Sequence, residues 1–256
     1  ITNEDLIIDD NGYGIRLGII QQGIYFNYDY GKGKNWPFQL IQNLNADMFS
    51  GYMHDAKPLN GGSNNSDYNM QDGWNSAMWT HVYSYIFPQI YQSENATRDT
   101  HPALFGITKI LKVEVMHRVT DYYGPIIYRH FANAEKHYQP DTQKEVYYEF
   151  FNELDSAVVA LIGYIEEKPE SNGFARFDIL LDGKYSSWVK FANSLRLRLA
   201  MRLASIAPDK ARSEIEKIKE NDYGFFERGS EKVAVSTKSG YINPLENLIW
   251  CGMKRI

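Results

Sequence analysis

The sequence predicts a mainly α fold, a solenoid-like array of helices joined by long loops, with a few short strands. Three observations carry that prediction. Apolar residues recur every three to four positions in three stretches: Leu104, Ile107, Leu111 and Val115; Tyr147, Phe151, Leu154, Val158 and Leu161; and Trp188, Phe191, Leu195 and Leu199. That period lines one face of a helix. The centres of the stretches lie about 40 residues apart, slightly more than the roughly 34-residue period of tetratricopeptide (TPR) arrays, although no TPR consensus letters occur. Elsewhere run segments rich in turn formers, the longest from His54 to Gly73.

Taken in order, the chain opens on polar, Asn- and Asp-rich residues. A helix over Gly14–Asn27 follows, with Ile15 and Ile19 on its apolar side; Gly14, Gly18 and Gly23 weaken it. Residues 28–37 read as a loop, and Leu40–Met53 as a helix up to Gly51. From His54 to Gly73 no apolar period survives, and Gly61, Gly62, Asn64 and Asn65 are turn formers. A loop of this length inside a compact domain is usually functional or mobile. Trp74–Glu94 is the next helix, with Met78, Val82, Tyr85 and Ile86 at helical spacing and Pro88 marking a kink or restart.

The stretch from His101 to Tyr128 organises the rest. Its helix begins at Pro102, with Thr100 as a candidate cap, and ends near Tyr122. Gly124 suits the left-handed position past a C-terminus, and Pro125 cannot continue a helix. Ile126–Tyr128 then run extended, and a connector ends at Pro140. Asp141 or Thr142 caps a long helix to about Glu167. Residues 168–183 form a loop with an extended piece at Phe177–Leu181. Ser186 or Ser187 caps the helix that carries Trp188. Asp209–Asn221 is a short charged helix, Lys232–Ser236 a candidate strand, and Pro244–Trp250 a last apolar piece.

Composition narrows the function. The chain has 256 residues, 43% hydrophobic and 23% charged, as in ordinary globular proteins. Its formal net charge is -5 and no long basic run occurs, which argues against nucleic acid or an anionic membrane surface as a partner. Cys251 is the single cysteine, so no intramolecular disulfide forms and no cysteine-ligated metal is expected. No apolar run is long enough to span a membrane. Aromatic residues stand out at 14%, with 19 Tyr, 13 Phe and 5 Trp. Such rings suit ligand platforms as well as cores.

Catalytic motifs are missing. GxSxG, HExxH, the Walker loop and GxGxxG do not occur. His54, His81, His101, His117, His130 and His137 are scattered, and no local pair of carboxylates stands out for glycoside chemistry. Asp67, Asn69, Gln71, Asp72 and Gly73 do not match a twelve-residue EF-hand loop, so no metal is expected. No cofactor is expected either. The basic row Lys190, Arg198 and Arg202, with Arg196 nearby, is read as ion-pairing with Asp121, Glu149, Glu153 or Asp155 rather than as an anion site. The aromatic, amide-rich end of the long loop is the candidate binding site. Flat rings stack on the C–H faces of sugars, while Asn, Asp and Gln bond to hydroxyls. Tyr68, Asn69, Gln71, Asp72, Trp74 and Asn75 supply that combination. Trp36 reads equally as platform or packing, Trp79 and Tyr83 as core.

Three blocks carry a family resemblance: RVTDYYGPIIY (118–128), DTQKEVYYEFFNELDSAVVAL (141–161) and SSWVKFANSLRLRLAMRLA (186–204). They resemble, in order and spacing, blocks of the SusD/RagB family of Bacteroidetes outer-membrane nutrient-binding lipoproteins. The last is similar almost letter for letter. Pro125 departs from the family pattern, as do Arg129, His130 and Phe131. The resemblance implies TPR-like helix pairs with a loop-rich region on one side. Residues 1–256 would form a single SusD-like domain, without the C-terminal part of the family fold. It implies a non-catalytic surface protein that binds an oligosaccharide or other nutrient oligomer and delivers it to a SusC-like TonB-dependent transporter. The resemblance also implies a signal peptide and an N-terminal lipid anchor, expected to precede this numbering. In starch-binding relatives the platform includes a Trp with a nearby Asn, which maps to Trp74 and Asn75. The alternative is a TPR-like scaffold that binds oligopeptides or protein partners.

Overall fold

The computed structural model describes residues 12–25, 36–54, 59–62, 64–133, 135, 139–169, 171, 173–227 and 231–235. The last apolar piece, residues 244–250, lies outside them. Helix α1 spans Tyr13–Gln22 and tightens into a 3-10 turn at Gly23–Tyr25. It begins one residue before the expected start, and residues 26 and 27 lie outside the described set. It buries Tyr13, Leu17 and Ile20, whereas Ile15, expected on that face, is 67% exposed. Two of the glycines that weaken this helix permit close approaches. A Cβ on Gly14 would sit 2.1 Å from the Phe177 ring, and one on Gly23 would sit 2.8 Å from Val115.

Helix α2 is continuous through Trp36–Phe38, Gln39–Ala46 and Asp47–Phe49, its middle segment wound in wide π turns. Such turns concentrate at functional sites. Gly51, at φ 73°, follows its end. Helix α3 is the short Asp72–Asn75. Helix α4 runs through Ala77–His81, a π segment at Val82–Ile86, and Phe87–Thr97. Pro88 does not break it but stands in the first turn of its last α segment, as a restart after the π segment. The wide turn lies where the proline ring would press on the carbonyl four residues back, that of Ser84.

Helix α5, Pro102–Tyr123, is the centre of the molecule. Leu104, Ile107, Leu111 and Val115 are buried, and so are Ile110, Val113 and Met116. It ends where expected, and the Gly124 N–H donates to the Thr120 carbonyl at 2.8 Å, but with φ 76° and ψ -116° Gly124 takes a glycine conformation other than the left-handed helical one. Thr100 does not cap it. The cap position is His101, without a side-chain bond, and the Thr100 hydroxyl donates backwards to the Ala96 carbonyl at 3.0 Å. Ile126 and Asp141 pair as an isolated antiparallel bridge across the neck of the connector. The Asp141 carboxylate then accepts from the backbone N–H of Tyr128 (3.1 Å) and Arg129 (2.8 Å) and from Arg129 Nε (2.7 Å).

Thr142 caps helix α6, Gln143–Glu167, in a reciprocal capping box with Glu145. Helix α7 is Tyr185–Leu203 and α8 is Pro208–Lys217, followed by a 3-10 turn at Ile218–Glu220. Two expectations fail before α7. Phe177–Leu181 is not extended but turns, because Asp178 gathers four donors: the N–H groups of Leu180, Leu181 and Gly183, and Trp188 Nε1. Lys184, not Ser186 or Ser187, occupies the cap position of α7, without a side-chain bond. Residues 232–235 are irregular rather than strand. Among the described residues there is no sheet, so the few short strands of the sequence reading reduce to the bridge at Ile126.

Helix α5 packs on α4 and α6, α6 on α7, and α7 on α8, while α1 lies against α4 and α5. Gly106 lets α5 and α6 touch: a Cβ there would meet the Ala157 carbonyl at 3.0 Å. Trp188, Phe87, Phe150, Phe151 and Phe174 fill the core. Among the described residues no helix is long and apolar enough to cross a membrane.

Candidate functional site

The loop between α2 and α4 is held from inside by amides. Asn65 Nδ2 donates to the Leu44 carbonyl (2.8 Å) and to Asn75 Oδ1 (3.0 Å), and its own Oδ1 accepts from the Gln71 N–H (3.2 Å). Asn45, buried on the π segment of α2, reaches the Trp74 carbonyl and Asn75 Oδ1, each at 3.4 Å. The end of α5 completes the clamp. Tyr122 donates to Asn75 Oδ1 at 3.2 Å and Tyr123 to the Asn75 carbonyl at 2.5 Å. Burial pushes both phenols up, Tyr123 to about 12, so both remain neutral donors. An aromatic ladder backs the clamp, with Trp79 against Tyr83 (4.4 Å between centroids) and edge-on to Tyr123 (5.5 Å). Trp79 and Tyr83 are half-buried and pack on the core, in keeping with the core reading of both.

The same loop also carries large exposed side chains. Tyr68 is 70% exposed, Tyr52 88% and Met70 56%. Tyr68 adopts a left-handed conformation, φ 56°, sparsely populated for a residue of its size. Its ring meets Phe49 at 5.8 Å. Asn69 and Asp72 are exposed, and the Asn69 amide ties back to the Gly62 carbonyl at 3.2 Å. Trp74 is half-buried, its N–H bonded to the Gln71 carbonyl at 3.0 Å. The structure thus brings Tyr68, Asn69, Asp72 and Trp74 onto one anchored loop. Asn75 belongs to the anchor: its oxygen takes three amide or phenol donors, and its nitrogen donates to Met70 Sδ at 3.2 Å. The side chain of Trp36 lies outside the described set.

Sequence reasoning missed exposed Tyr52, Met53 and Met70, and Asn45 and Asn65 inside. One signal was available: Asn43 and Asn45 interrupt the apolar period of α2. Lys190 and Arg202 of the basic row on α7 are engaged in ion pairs, as is Arg196 beside them. Arg202 bonds Asp121, Lys190 bonds Glu231 at 2.6 Å, and Arg196 bonds Glu214 and, at 2.5 Å, Asp155. Glu149 and Glu153 are not its partners; Glu153 pairs with Lys112 instead. Among the described residues no three His, Cys, Asp or Glu side chains are placed to share a metal ion.

A model of the SusD-like family, described as Susd and RagB outer membrane lipoprotein, matches residues 1–251. No curated protein matches the sequence. Among solved structures, a SusD homologue from Bacteroides vulgatus is 44% identical, with a TM-score of 0.87 over 95% of this chain and 49% of its own. A chitin-binding SusD homologue from Flavobacterium johnsoniae is 36% identical, with a TM-score of 0.81 over 90% of this chain and 48% of its own. A SusD homologue from Bacteroides uniformis is 27% identical, with a TM-score of 0.74 over 91% and 46%. The chain spans about half the length of the structures it matches. The helical array, the blocks that build it and these likenesses agree: the chain belongs to the SusD-like family of outer-membrane lipoproteins.

Proposed function

We propose that the protein is a non-catalytic nutrient-capture protein of the outer-membrane surface. Residues 1–256 belong to a single SusD-like domain. It binds an oligosaccharide on the loop that carries Tyr68, Asn69, Asp72 and Trp74, and it delivers the sugar to a SusC-like TonB-dependent transporter. The observation that carries this reading is exposed Tyr68 on a loop fixed at several points by Asn45, Asn65 and Asn75. A pre-formed surface spends little of its binding energy on ordering. Rings supply stacking, and the amide and carboxylate of Asn69 and Asp72 supply hydroxyl partners. Family membership supports binding of glycans in general. The chitin-binding relative makes N-acetylglucosamine oligomers the first to try.

The experiment is isothermal titration against plant, host and microbial oligosaccharides, chitin oligomers among them, with a tryptic peptide pool alongside. Saturable binding of one glycan supports the reading. Binding of peptides alone replaces it with the oligopeptide-binding scaffold.

A further inference from the structure

A cavity lies where α4, α5 and α6 converge under the start of the connector. Its volume is about 320 Å³, at the small end of ligand sites. The floor is a buried charge cluster. Lys112 Nζ donates to Glu153 at 2.6 Å and to Glu94 at 3.4 Å, and Tyr128 bonds the other Glu153 oxygen. Burial opposes the Lys112 charge, but the two carboxylates outweigh it and hold the ammonium above its ordinary pKa. Apolar side chains would join these helices at least as well as buried ions. The cluster therefore invites a use other than cohesion.

Hydrogen-bonding capacity is left over at the rim. Lys109 lies 3.5 Å from Glu153 and 3.7 Å from Glu94, yet forms a hydrogen bond with neither. Among the described residues Glu94 accepts through Oε1 alone, and Glu149 through Oε2 alone, from Asn152 at 3.1 Å. One wall is aromatic. Phe131 stacks on Phe87 at 4.2 Å, and Tyr91, 39% exposed, stands edge-on to Phe131 at 5.9 Å. The lining carries both signs, so an ion of either charge would meet repulsion. Donors and acceptors interleaved beside an apolar wall match vicinal hydroxyls, each of which gives and takes a hydrogen bond, on a ring with a C–H face.

We propose that this cavity is a second saccharide site, taking one or two rings of a neutral sugar against Tyr91 and Phe131, with Lys109, Glu94 and Glu149 bonding its hydroxyls. It goes beyond the loop reading and stands on different residues.

The test is saturation-transfer NMR and calorimetry with maltose, cellobiose, mannobiose and N,N′-diacetylchitobiose. Wild type is compared with Tyr91→Ala and Glu149→Gln in the cavity and with Tyr68→Ala on the loop, each checked for an unchanged circular dichroism spectrum. At least one disaccharide should still bind Tyr68→Ala and lose tenfold or more in affinity for both cavity variants. The site is overturned if no disaccharide binds wild type, if the cavity variants bind like wild type, or if Tyr68→Ala alone abolishes all binding. Saccharide binding that Tyr68→Ala leaves unchanged and both cavity variants weaken would sink the nutrient platform and leave this site standing.

Discussion

At the scale of single residues, Asn75 separates a structural role from a ligand role. Its oxygen is shared by Asn45, Asn65 and Tyr122. Replacing it strands those donors in a partly buried place, at about 1–3 kcal/mol. Asn75→Ala should lower the urea midpoint by that equivalent. Unchanged stability with weaker glycan binding would instead make Asn75 a ligand contact. Gly183 is a second such position. It has φ 74°, and an added Cβ would lie 2.6 Å from the Ala175 Cα. Gly183→Ala should cost about 1–3 kcal/mol in strain, read in the same unfolding experiment. A neutral outcome would mean that the Asp178 turn has slack. Neither role is legible in the sequence, because both depend on atoms far away along the chain. Tyr68, Asn69 and Asp72 were legible as loop from composition alone, since turn formers without an apolar period build no helix face, and Trp74 stood at the junction with the next helix.

At the scale of elements, local signals read well where they are strong. The three long helices follow their apolar periods, and Gly124 and Pro125 stop α5 where their backbone preferences dictate. The capping box at Thr142 and Glu145 is equally local. Thr142→Ala should cost about 1 kcal/mol and fray the first turn of α6, seen as faster amide exchange there. Protection equal to wild type would show that the Ile126–Asp141 bridge alone fixes the start of the helix. Elements set by distant partners were not legible. The DILLDG segment has the composition of a strand, but the Asp178 carboxylate folds it into a turn by collecting N–H groups. The π turns of α2 and α4 leave no compositional mark, since one extra residue per turn changes no side chain.

At the scale of the whole molecule, acid stability reports on the core of α5. His117 is fully buried, and burial pushes its imidazole down to about 3 despite the hydrogen bond from Nδ1 to the Val113 carbonyl at 3.1 Å. Arg198, Arg118 and Arg202 push the same way. Glu114 lies 4.0 Å from the ring, and burial pushes its carboxyl up to about 7 against the pull of Arg118 and Arg198. Below the ordinary histidine value of 6.5 the unfolded chain binds a proton that folded His117 refuses, so acid removes stability. Between 4.5 and about 7 folded Glu114 keeps a proton that the unfolded chain has released, so falling pH adds stability there. The two slopes offset until about pH 4.5, and below that the His117 slope stands alone. The stability advantage of wild type over His117→Gln should therefore shrink steadily as pH falls from 6.5 to about 4. An advantage independent of pH would contradict the burial account.

The central claim is that the anchored loop is the nutrient platform. Calorimetric affinities of wild type, Tyr68→Ala and Trp74→Ala for the best oligosaccharide of the panel test it most directly. The account predicts saturable binding to wild type and a loss of about 1–3 kcal/mol in each variant, the size of a removed aromatic anchor. Equal affinity in all three proteins would contradict it.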